Sequence, residues 1–183
     1  MAALFGVIAI VASACGAPKA VEAAGSPDGV HFALPTDWIE VDRQIDGTSQ
    51  SVQFAPAGID QAQLPWGPEP IVTITSGLRS DVVNFRELRA MATGGVYDPL
   101  TEDPPDDLPF TVTSYFEITE PGAWGIRISG VAEGNRVVDL LGIVNRQNEV
   151  VSLSTITCTE ACYVANFEQI NEIQDSWALE SRS

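Results

Sequence analysis

The chain contains 183 residues, 45% of them apolar, which is enough for one domain with a sizeable core. It has 9 basic and 25 acidic residues, and the net charge of −16 repels nucleic-acid phosphates and anionic lipid headgroups alike. The composition therefore excludes nucleic acid as an expected partner and argues against electrostatic attachment to a membrane.

The N-terminal segment has the pattern of an export signal. Leu4 to Val11 is an apolar run broken only by Gly6, with the length of a signal-peptide core and too short to span a membrane. It leads into Ala12-Ser13-Ala14-Cys15-Gly16, which resembles the lipobox of bacterial lipoproteins. In that motif the cysteine thiol takes a diacylglycerol and becomes the mature N-terminus. The resemblance predicts a signal peptide over residues 1–14 and a lipid anchor carrying palmitate-like chains at Cys15.

Two features of this segment depart from the motif. Ala12 stands where leucine is usual, and the lack of Lys or Arg ahead of the apolar run leaves open a start upstream of Met1. The alternative is an ordinary secreted protein in which Cys15 is unmodified. Residues 15–29 are rich in small residues and proline, so they predict a disordered tether that precedes a single domain over 30–183.

Alternating segments predict that this domain opens with short strands. Val30, Phe32 and Leu34 share one face of the first strand, and a turn over residues 35–37 returns Trp38 to the core. The alternation places the apolar side chains of each strand on one side. Two further strands are predicted at Ser51–Ala55 and Pro70–Gly77.

The loop between those two strands is a candidate binding element. It runs from Pro56 to Glu69 and carries the large apolar residues Ile59, Leu64 and Trp66. Apolar side chains in an irregular loop either fold back onto the body of the domain or contact a ligand. These three residues are therefore the candidate partner-binding residues, and folding back onto the body is the alternative.

Two helices are predicted, one on each side of a long β segment. The first is capped by Ser80 or Asp81 and ends at Gly94-Gly95, and its apolar face consists of Val82, Phe85, Leu88 and Ala92. The second begins at Thr159 or Glu160, and its apolar stripe consists of Val164, Phe167, Ile170, Ile173 and Trp177. A stripe with this spacing predicts a face packed on the core.

The loop after the first helix is acidic and contains several prolines. Over residues 98–109 it carries five carboxylates, namely Asp98, Glu102, Asp103, Asp106 and Asp107. Clustered carboxylates can ligate calcium, but this spacing fits no EF-hand and the prolines oppose a compact cage. We therefore expect a solvated loop and no metal site.

The stretch from Phe110 to Thr157 predicts an antiparallel meander. Apolar and polar residues alternate through successive segments that are separated by short turn-forming clusters. Val137 to Val144 is nearly continuous in its apolar character, with Asp139 and Gly142 as interruptions, which is typical of a central strand packed on both faces. Helices elsewhere in the chain have to cover such a sheet.

The order of these features resembles a known family. A lipobox, a tether, the segment Phe32-Ala33-Leu34-Pro35-Thr36-Asp37-Trp38, a meander and a closing helix are similar to small actinobacterial lipoproteins of the LpqN and LpqT type, which have a PsbP-like fold. The resemblance implies an α+β domain, with a curved antiparallel β-sheet covered by two helices. It also implies an envelope location and protein–protein contacts, and it supplies no catalytic residues.

Catalytic, nucleotide and metal motifs are absent from the sequence. His31 is its one histidine, and its place among core-facing strand residues predicts a surface strand position. No Gly-x-Ser-x-Gly elbow and no Gly-Lys-Ser/Thr loop occurs. We therefore expect no cofactor, no metal and no enzymatic activity.

The two remaining cysteines predict a disulfide. If Cys15 is acylated, Cys158 and Cys162 form the remaining pair, and an exported domain lies where disulfides persist. Their separation fits neither a redox C-x-x-C motif nor half of a zinc site. The alternative is a pair of free thiols.

Three classes of function remain after these exclusions. The favoured one is a non-catalytic binding or scaffold lipoprotein that contacts other envelope proteins. The second is a carrier of a small apolar or lipid ligand between sheet and helix, which would require a deep apolar pocket. The third is a hydrolase of envelope material, which would require two carboxylates close together in a cleft.

Overall fold

A seven-stranded antiparallel sheet forms the centre of the structure. The structure is a computed structural model, and it describes residues 19–22, 30–60, 67–78, 82–106, 110–147 and 149–179. The strands are β1 (Lys19–Glu22), β2 (Val30–Leu34), β3 (Trp38–Asp46), β4 (Ser49–Pro56), β5 (Ile71–Leu78), β6 (Phe110–Glu120), β7 (Ala123–Ala132), β8 (Arg136–Asn145), β9 (Val150–Thr159) and β10 (Ala178–Leu179). In the large sheet the strand order is β3-β4-β5-β9-β8-β7-β6.

The predicted meander is confirmed in β6 to β9. These four strands pair antiparallel with their neighbours in sequence order. Every residue of β8 except Arg136 is buried, which agrees with the prediction of a central strand packed on both faces. The α+β fold class predicted from the sequence is therefore confirmed.

Three short helices cover the sheet within the described part of the chain. They are α1 (Phe85–Ala90), α2 (Glu160–Ala165) and α3 (Phe167–Asp175), and a 3-10 turn at Met91–Thr93 continues α1. One face of the sheet packs under α3 and β2, through residues such as Phe32, Leu141 and Ile170. The opposite face packs under α1, where Leu88 lies in one cluster with Ile126. The two cores lie on opposite sides of β8 because its odd and even residues point to opposite faces.

The first strand lies where the sequence predicts a disordered tether. Lys19–Glu22 pairs antiparallel with β2, and β10 pairs with the other edge of β2 to complete a small three-stranded sheet. The strand forms because β2 otherwise presents unpaired backbone groups along that edge. The tether prediction for 15–29 therefore does not hold for these four residues. Its remaining residues lie outside the described part.

The first helix begins later than the sequence predicts. Its N-cap is Asn84, whose Oδ1 accepts a hydrogen bond from the backbone N–H of Glu87 at 3.0 Å. Ser80 and Asp81, the predicted caps, lie outside the described residues. Asparagine is as good a cap as serine or aspartate, so spacing alone did not distinguish them. Gly94 ends the segment in a left-handed conformation, as predicted.

The closing helix is divided in two at Asn166. Thr159 caps α2 as predicted, through a 3.3 Å hydrogen bond from the Cys162 N–H to its Oγ1. The side chain of Asn166 donates to the carbonyl of Cys162 at 2.9 Å, so it competes for the last backbone groups of α2. The chain leaves helical geometry at Asn166, and α3 begins at the next residue.

No helix in the described residues is long and apolar enough to cross a membrane.

Candidate functional site

Several predicted site residues lie outside the described part of the chain. They are the lipidation residue Cys15 and the loop residues Leu64 and Trp66. Ile59, the third candidate partner-binding residue, is half-buried next to the end of β4, where its N–H donates to the Pro56 carbonyl at 3.3 Å. The binding role of this loop therefore stays a prediction.

His31 lies between two strands and is not fully at the surface. It pairs with Glu22 on β1 and with Ala178 on β10, and its ring is half-buried. The predicted surface position is corrected to this extent, because β1 and β10 cover both edges of β2. Its Nε2 is buried without a hydrogen-bond partner among the described residues.

The acidic loop is anchored through Asp98, contrary to the expectation that it is solvated throughout. The Asp98 side chain is buried and accepts hydrogen bonds from Nε and Nη2 of Arg89 at 2.8 and 2.6 Å. Thr101 Oγ1 and the Leu100 N–H also donate to it, at 2.8 and 3.1 Å. The Arg89 hydrogen bond lowers the pKa of the Asp98 carboxyl to about 2. This carboxylate fastens the loop to α1 and is not available as a ligand.

A second buried carboxylate, Asp139, lies at the centre of β8. Arg127 on β7 donates to both of its oxygens, from Nε to Oδ1 at 3.1 Å and from Nη2 to Oδ2 at 3.0 Å. Ser129 Oγ and the Tyr163 hydroxyl donate to Oδ2 at 2.9 and 2.8 Å. Burial, together with the neighbouring Asp139 charge, raises the pKa of Tyr163 to about 12.

Side chains of helix α3 complete this hydrogen-bond network. Gln174 Nε2 donates to the Asp139 carbonyl at 3.0 Å, to its Oδ1 at 3.1 Å and to the Ser154 carbonyl at 3.3 Å. The Arg127 guanidinium donates to Asn171 Oδ1 at 2.6 Å and lies 3.4 Å from the exposed Asp175. The network thus joins β7, β8 and β9 to both closing helices.

The Asp139 network has the geometry of a structural clamp. A carboxylate offers about four lone-pair directions, and the two oxygens of Asp139 accept from Arg127, Ser129, Tyr163 and Gln174. No acceptor direction is left for a substrate proton. Paired carboxylates in a cleft, which a hydrolase of glycans would need, are not what this site provides.

Two surface clefts occur beside the helices. One of about 310 Å³ lies between β2 and α3 and is lined by Ala33, Pro35, Gln169, Glu172, Ile173 and Ser176. The other, of about 270 Å³, is lined by Val82, Val83, Trp124, Val144, Asn145, Arg146 and Glu149. Sites that enclose small apolar ligands are typically ~300–1,000 Å³ and largely closed. Neither of these open clefts has that character.

Two residues of the predicted core stripe are exposed at the surface. Val164 has 71% of its surface exposed and Phe167 has 50%, whereas Ile170 and Ile173 of the same stripe are buried. Asn166 lies between the two exposed residues with φ −113° and ψ 17°, outside helical geometry, so the stripe is divided between α2 and α3. The Phe167 ring packs edge-on against Tyr163, with centroids 5.8 Å apart. We call Val164 and Phe167 the corner patch.

The sequence contained one signal for this patch. Asn166 stands in the middle of the apolar stripe, and asparagine readily leaves helical geometry by bonding to nearby backbone groups. If the stripe formed one continuous helix, its spacing would place Val164 and Phe167 on the same face as Ile170. Because the helix is interrupted at Asn166, the spacing does not show that residues before and after it share one face.

The predicted disulfide residues lie at the junction of β9 and α2. Cys158 and Cys162 are both buried and both present as free thiols. The neighbouring Cys162 thiol and burial both raise the pKa of the Cys158 thiol. Groups of three or more side chains that could hold a metal ion are absent from the described residues. The pairing itself stays a prediction.

Comparison with known proteins shows the fold. No family model matches the sequence, and no curated protein matches it. The solution structure of the cyanobacterial PsbP protein CyanoP from Synechocystis sp. PCC 6803 is similar over 96% of this chain and 98% of its own, with a TM-score of 0.58 and 13% identity. The domain has a PsbP-like fold.

Two other solved structures are similar to this PsbP-like domain at lower TM-scores. LpqN of Mycobacterium tuberculosis, involved in cell envelope biogenesis, is 14% identical over 88% of this chain and 90% of its own, with a TM-score of 0.48. PA94 of Pseudomonas aeruginosa, a protein of unknown function, is 14% identical over 92% of this chain and 99% of its own, with a TM-score of 0.46. The predicted PsbP-like fold is confirmed, and the assignment to LpqN- and LpqT-like lipoproteins stays a prediction.

Proposed function

We propose that this protein is an envelope lipoprotein whose PsbP-like domain binds another envelope protein and catalyses no reaction. The observation that carries the proposal is the corner patch, where Val164 near the end of α2 and Phe167 at the start of α3 both have exposed apolar side chains. Exposed aromatic and aliphatic side chains of this kind contribute most to the free energy of binding when a partner buries them.

The charges around the corner patch indicate the charge that a partner surface should carry. The exposed Glu160 lies in the first turn of α2, and the exposed Glu168 lies in the first turn of α3. The whole chain carries a net charge of −16. A partner with an apolar centre flanked by Lys or Arg would match this surface, because opposite charges guide the encounter. A second copy of this acidic chain would match it poorly.

The N-terminal features support the envelope part of the proposal. A signal peptide over 1–14 and acylation at Cys15 would anchor the domain to the extracytoplasmic face of the membrane. The loop with Ile59, Leu64 and Trp66 is a second candidate contact surface. Confinement to the membrane raises the local concentration of partners that are also membrane-bound, so weak affinity would suffice.

The alternative function is a carrier of a small apolar or lipid ligand. It would place the ligand between the sheet and a helix, and the two clefts at β2–α3 and beside Trp124 are the places in the described chain where one could begin. Both are open, and the side chains under α3 and under α1 already pack against each other. These contacts support the binding module over the carrier.

A matched pair of substitutions tests the proposed function. Val164 and Ile45 are each 71% exposed, but Ile45 lies on the edge strand β3, away from the helices. We would crosslink wild type, Val164→Asp and Ile45→Asp in the intact envelope and identify the attached proteins. A Trp66→Ala variant adds the predicted loop to the comparison.

We expect one protein to disappear from the crosslinked set of Val164→Asp and to remain in that of Ile45→Asp. Both variants should be folded. Loss in Trp66→Ala alone would move the contact to the loop and keep the function. An unchanged set in all three variants, together with a lipid released from purified wild type on denaturation, would instead support the carrier.

A further inference from the structure

A single residue connects the two cysteine-bearing elements. Thr159 is the last residue of β9 and also the N-cap of α2, so the strand leads directly into the helix. Cys158 precedes this residue, and Cys162 lies in the first turn after it. Both side chains therefore point into the interface between α2 and the sheet, where their exposed fractions are 0% and 4%.

The two thiols are close enough for each to shift the pKa of the other, upward for Cys158 and downward for Cys162. The Asn166 side chain approaches the Cys162 sulfur from Nδ2 at 3.8 Å. The neighbouring Cys158 thiol lowers the pKa of the Cys162 thiol, against the opposing effects of burial and of the Glu69 charge. Cys162 is thus the better nucleophile of the two, since the thiolate is the reactive form.

We propose that Cys158 and Cys162 are oxidised to an intramolecular disulfide that latches α2 onto the end of β9. Both thiols are buried at the junction of β9 and α2, one on each side of the Thr159 cap. The bond would close a loop of five residues and hold Tyr163 in place, whose hydroxyl donates to Asp139 at 2.8 Å.

The oxidation requires an electron acceptor that itself carries a disulfide, such as glutathione disulfide or an extracytoplasmic thiol oxidoreductase. The Cys162 thiolate attacks one sulfur of the oxidant and displaces one thiolate from it. The Cys158 thiolate then attacks the Cys162 sulfur of the mixed disulfide and displaces the second thiolate. Two electrons pass to the oxidant, and the two thiol protons leave with its two thiol products.

The order of attack follows from burial. Cys158 is fully buried, and Cys162 has only 4% of its surface exposed, so an oxidant reaches Cys162 first when α2 lifts from the sheet. The helix has six residues and is short enough to open locally without unfolding the sheet. Once the bond has formed, the same burial protects it from reducing thiols.

The sequence allows a sharp test of the pairing. Glu160 lies between the two cysteines, and no Lys or Arg occurs between Arg146 and Arg182. A glutamate-specific protease therefore cuts the loop after Glu160, and the two resulting peptides stay joined only if the disulfide is present. The full chain would be purified in reductant, refolded in a glutathione redox buffer, alkylated in denaturant without reductant and then digested.

We expect joined, unalkylated peptides that separate when dithiothreitol is added. Single variants Cys158→Ser and Cys162→Ser should each leave one alkylatable thiol in this region. Separate alkylated peptides from a folded sample, or a link from either cysteine to Cys15 or to glutathione, would overturn the proposal.

Hydrogen exchange tests the latch separately from the bond, because a disulfide without structural effect would leave the exchange rates of α2 unchanged. Hydrogen exchange of the α2 amides should accelerate by about tenfold or more when the wild-type disulfide is reduced, because reduction restores the freedom of this short loop. The amides of β8 serve as the internal control and should keep their rates. Equal α2 rates in the oxidised and reduced forms would overturn the latch.

Discussion

Arg127 on β7 and Asp139 on β8 form an ion pair with two hydrogen bonds, 3.1 Å from Nε to Oδ1 and 3.0 Å from Nη2 to Oδ2. The Asp139 side chain is fully buried, and that of Arg127 is 15% exposed. Such a pair stabilises a fold less than its Coulomb attraction suggests, since both charges lose their hydration. Its larger effect is specificity, because any other packing of α3 on the sheet would leave a buried charge without its partners.

We predict that Asp139→Asn destabilises the domain strongly. The substitution leaves the Arg127 guanidinium largely buried without its counter-charge, and breaking a pair of this type typically destabilises by about 3 to 5 kcal/mol. Urea unfolding would measure the free-energy difference. The exposed pair between Arg43 and Glu40 is the control, with side chains 43% and 41% exposed, and Arg43→Gln should change the stability by less than about 1 kcal/mol. Equal effects of the two substitutions would contradict the clamp.

The meander could be predicted because its signal is local. Each of β6 to β9 carries its own alternation of apolar and polar residues, and tight turns separate the strands. The Asp139 clamp was visible only as an anomaly, a carboxylate inside the apolar run of β8. Its partner Arg127 lies 12 residues away on the neighbouring strand, and Gln174 lies 35 residues away on α3. No short window of sequence contains that relationship.

The surface of the closing helices could not be predicted for a different reason. Val164, Phe167 and Ile170 have the spacing of a single apolar face, and the sequence correctly places Ile170 in the core. The chain departs from helical geometry at Asn166, and Val164 and Phe167 on either side of it are exposed. A periodic pattern reports the face that each residue takes only while the helix is continuous.

We predict that Asp98 contributes stability that disappears in acid. Hydrogen bonding to Arg89 lowers the pKa of the Asp98 carboxyl from 3.8 to about 2. A lowered pKa in the folded state stabilises the fold above the pKa of the unfolded chain, here by about 2 kcal/mol, and the contribution is lost as the pH falls from about 5 to 2.

The measurement is the difference in unfolding free energy between wild type and Asp98→Asn as a function of pH. The difference should decrease steadily over that acidic range. Asp103→Asn, at an exposed carboxylate of the same loop, is the matched control and should change the stability little. A difference for Asp98→Asn that is independent of pH would show that the ion pair with Arg89 does not persist in solution.

We predict that Gly125 tolerates no side chain. A Cβ at this position of β7 would lie 2.2 Å from the backbone carbonyl oxygen of Gly142 on β8 and 2.7 Å from Ile143 Cδ1. The contact with Gly142 involves backbone, so the strands have to separate, and Gly125→Ala should destabilise by about 3 kcal/mol or more. Gly77→Ala is the control, because its nearest contact would be Ser49 at 3.3 Å. Thermal unfolding of the two variants compares these effects, and similar midpoints would contradict the close approach of β7 and β8.

We predict that Cys15→Ala releases the protein from the membrane. The small-residue approach to Cys15 resembles a lipobox, and two acyl chains give stable attachment where one is marginal. Fractionation should move the variant to the soluble or secreted fraction, and labelling with a fatty-acid analogue should fall to background. Ser13→Ala keeps the cysteine and a small residue before it, so it should stay attached and labelled. A Cys15→Ala protein that sediments with membranes and still takes label would exclude this anchor.

We predict that Tyr163 and Asp139 stabilise the fold together, and that alkali removes the effect. Tyr163→Phe keeps the ring but removes the hydroxyl that donates to Oδ2 of Asp139 at 2.8 Å, and losing a hydrogen bond to a buried charge destabilises by about 1.5 to 3 kcal/mol. Burial and the Asp139 charge raise the pKa of Tyr163 to about 12. Because the folded-state pKa is the higher one, the stabilisation is complete below the unfolded value near pH ~10 and is lost as the pH rises toward 12.

A double-mutant cycle with Asp139→Asn isolates the contact, because residues that share a hydrogen bond are expected to deviate from additivity. Urea unfolding at neutral pH should show that Tyr163→Phe destabilises the wild type much more than it destabilises the Asp139→Asn variant. The stability difference between wild type and Tyr163→Phe should then shrink above pH ~10, in step with ionisation of the phenol followed by ultraviolet absorbance. Additive effects at neutral pH, or a tyrosine that ionises at its ordinary pKa in the folded protein, would show that α2 does not place Tyr163 on the buried carboxylate.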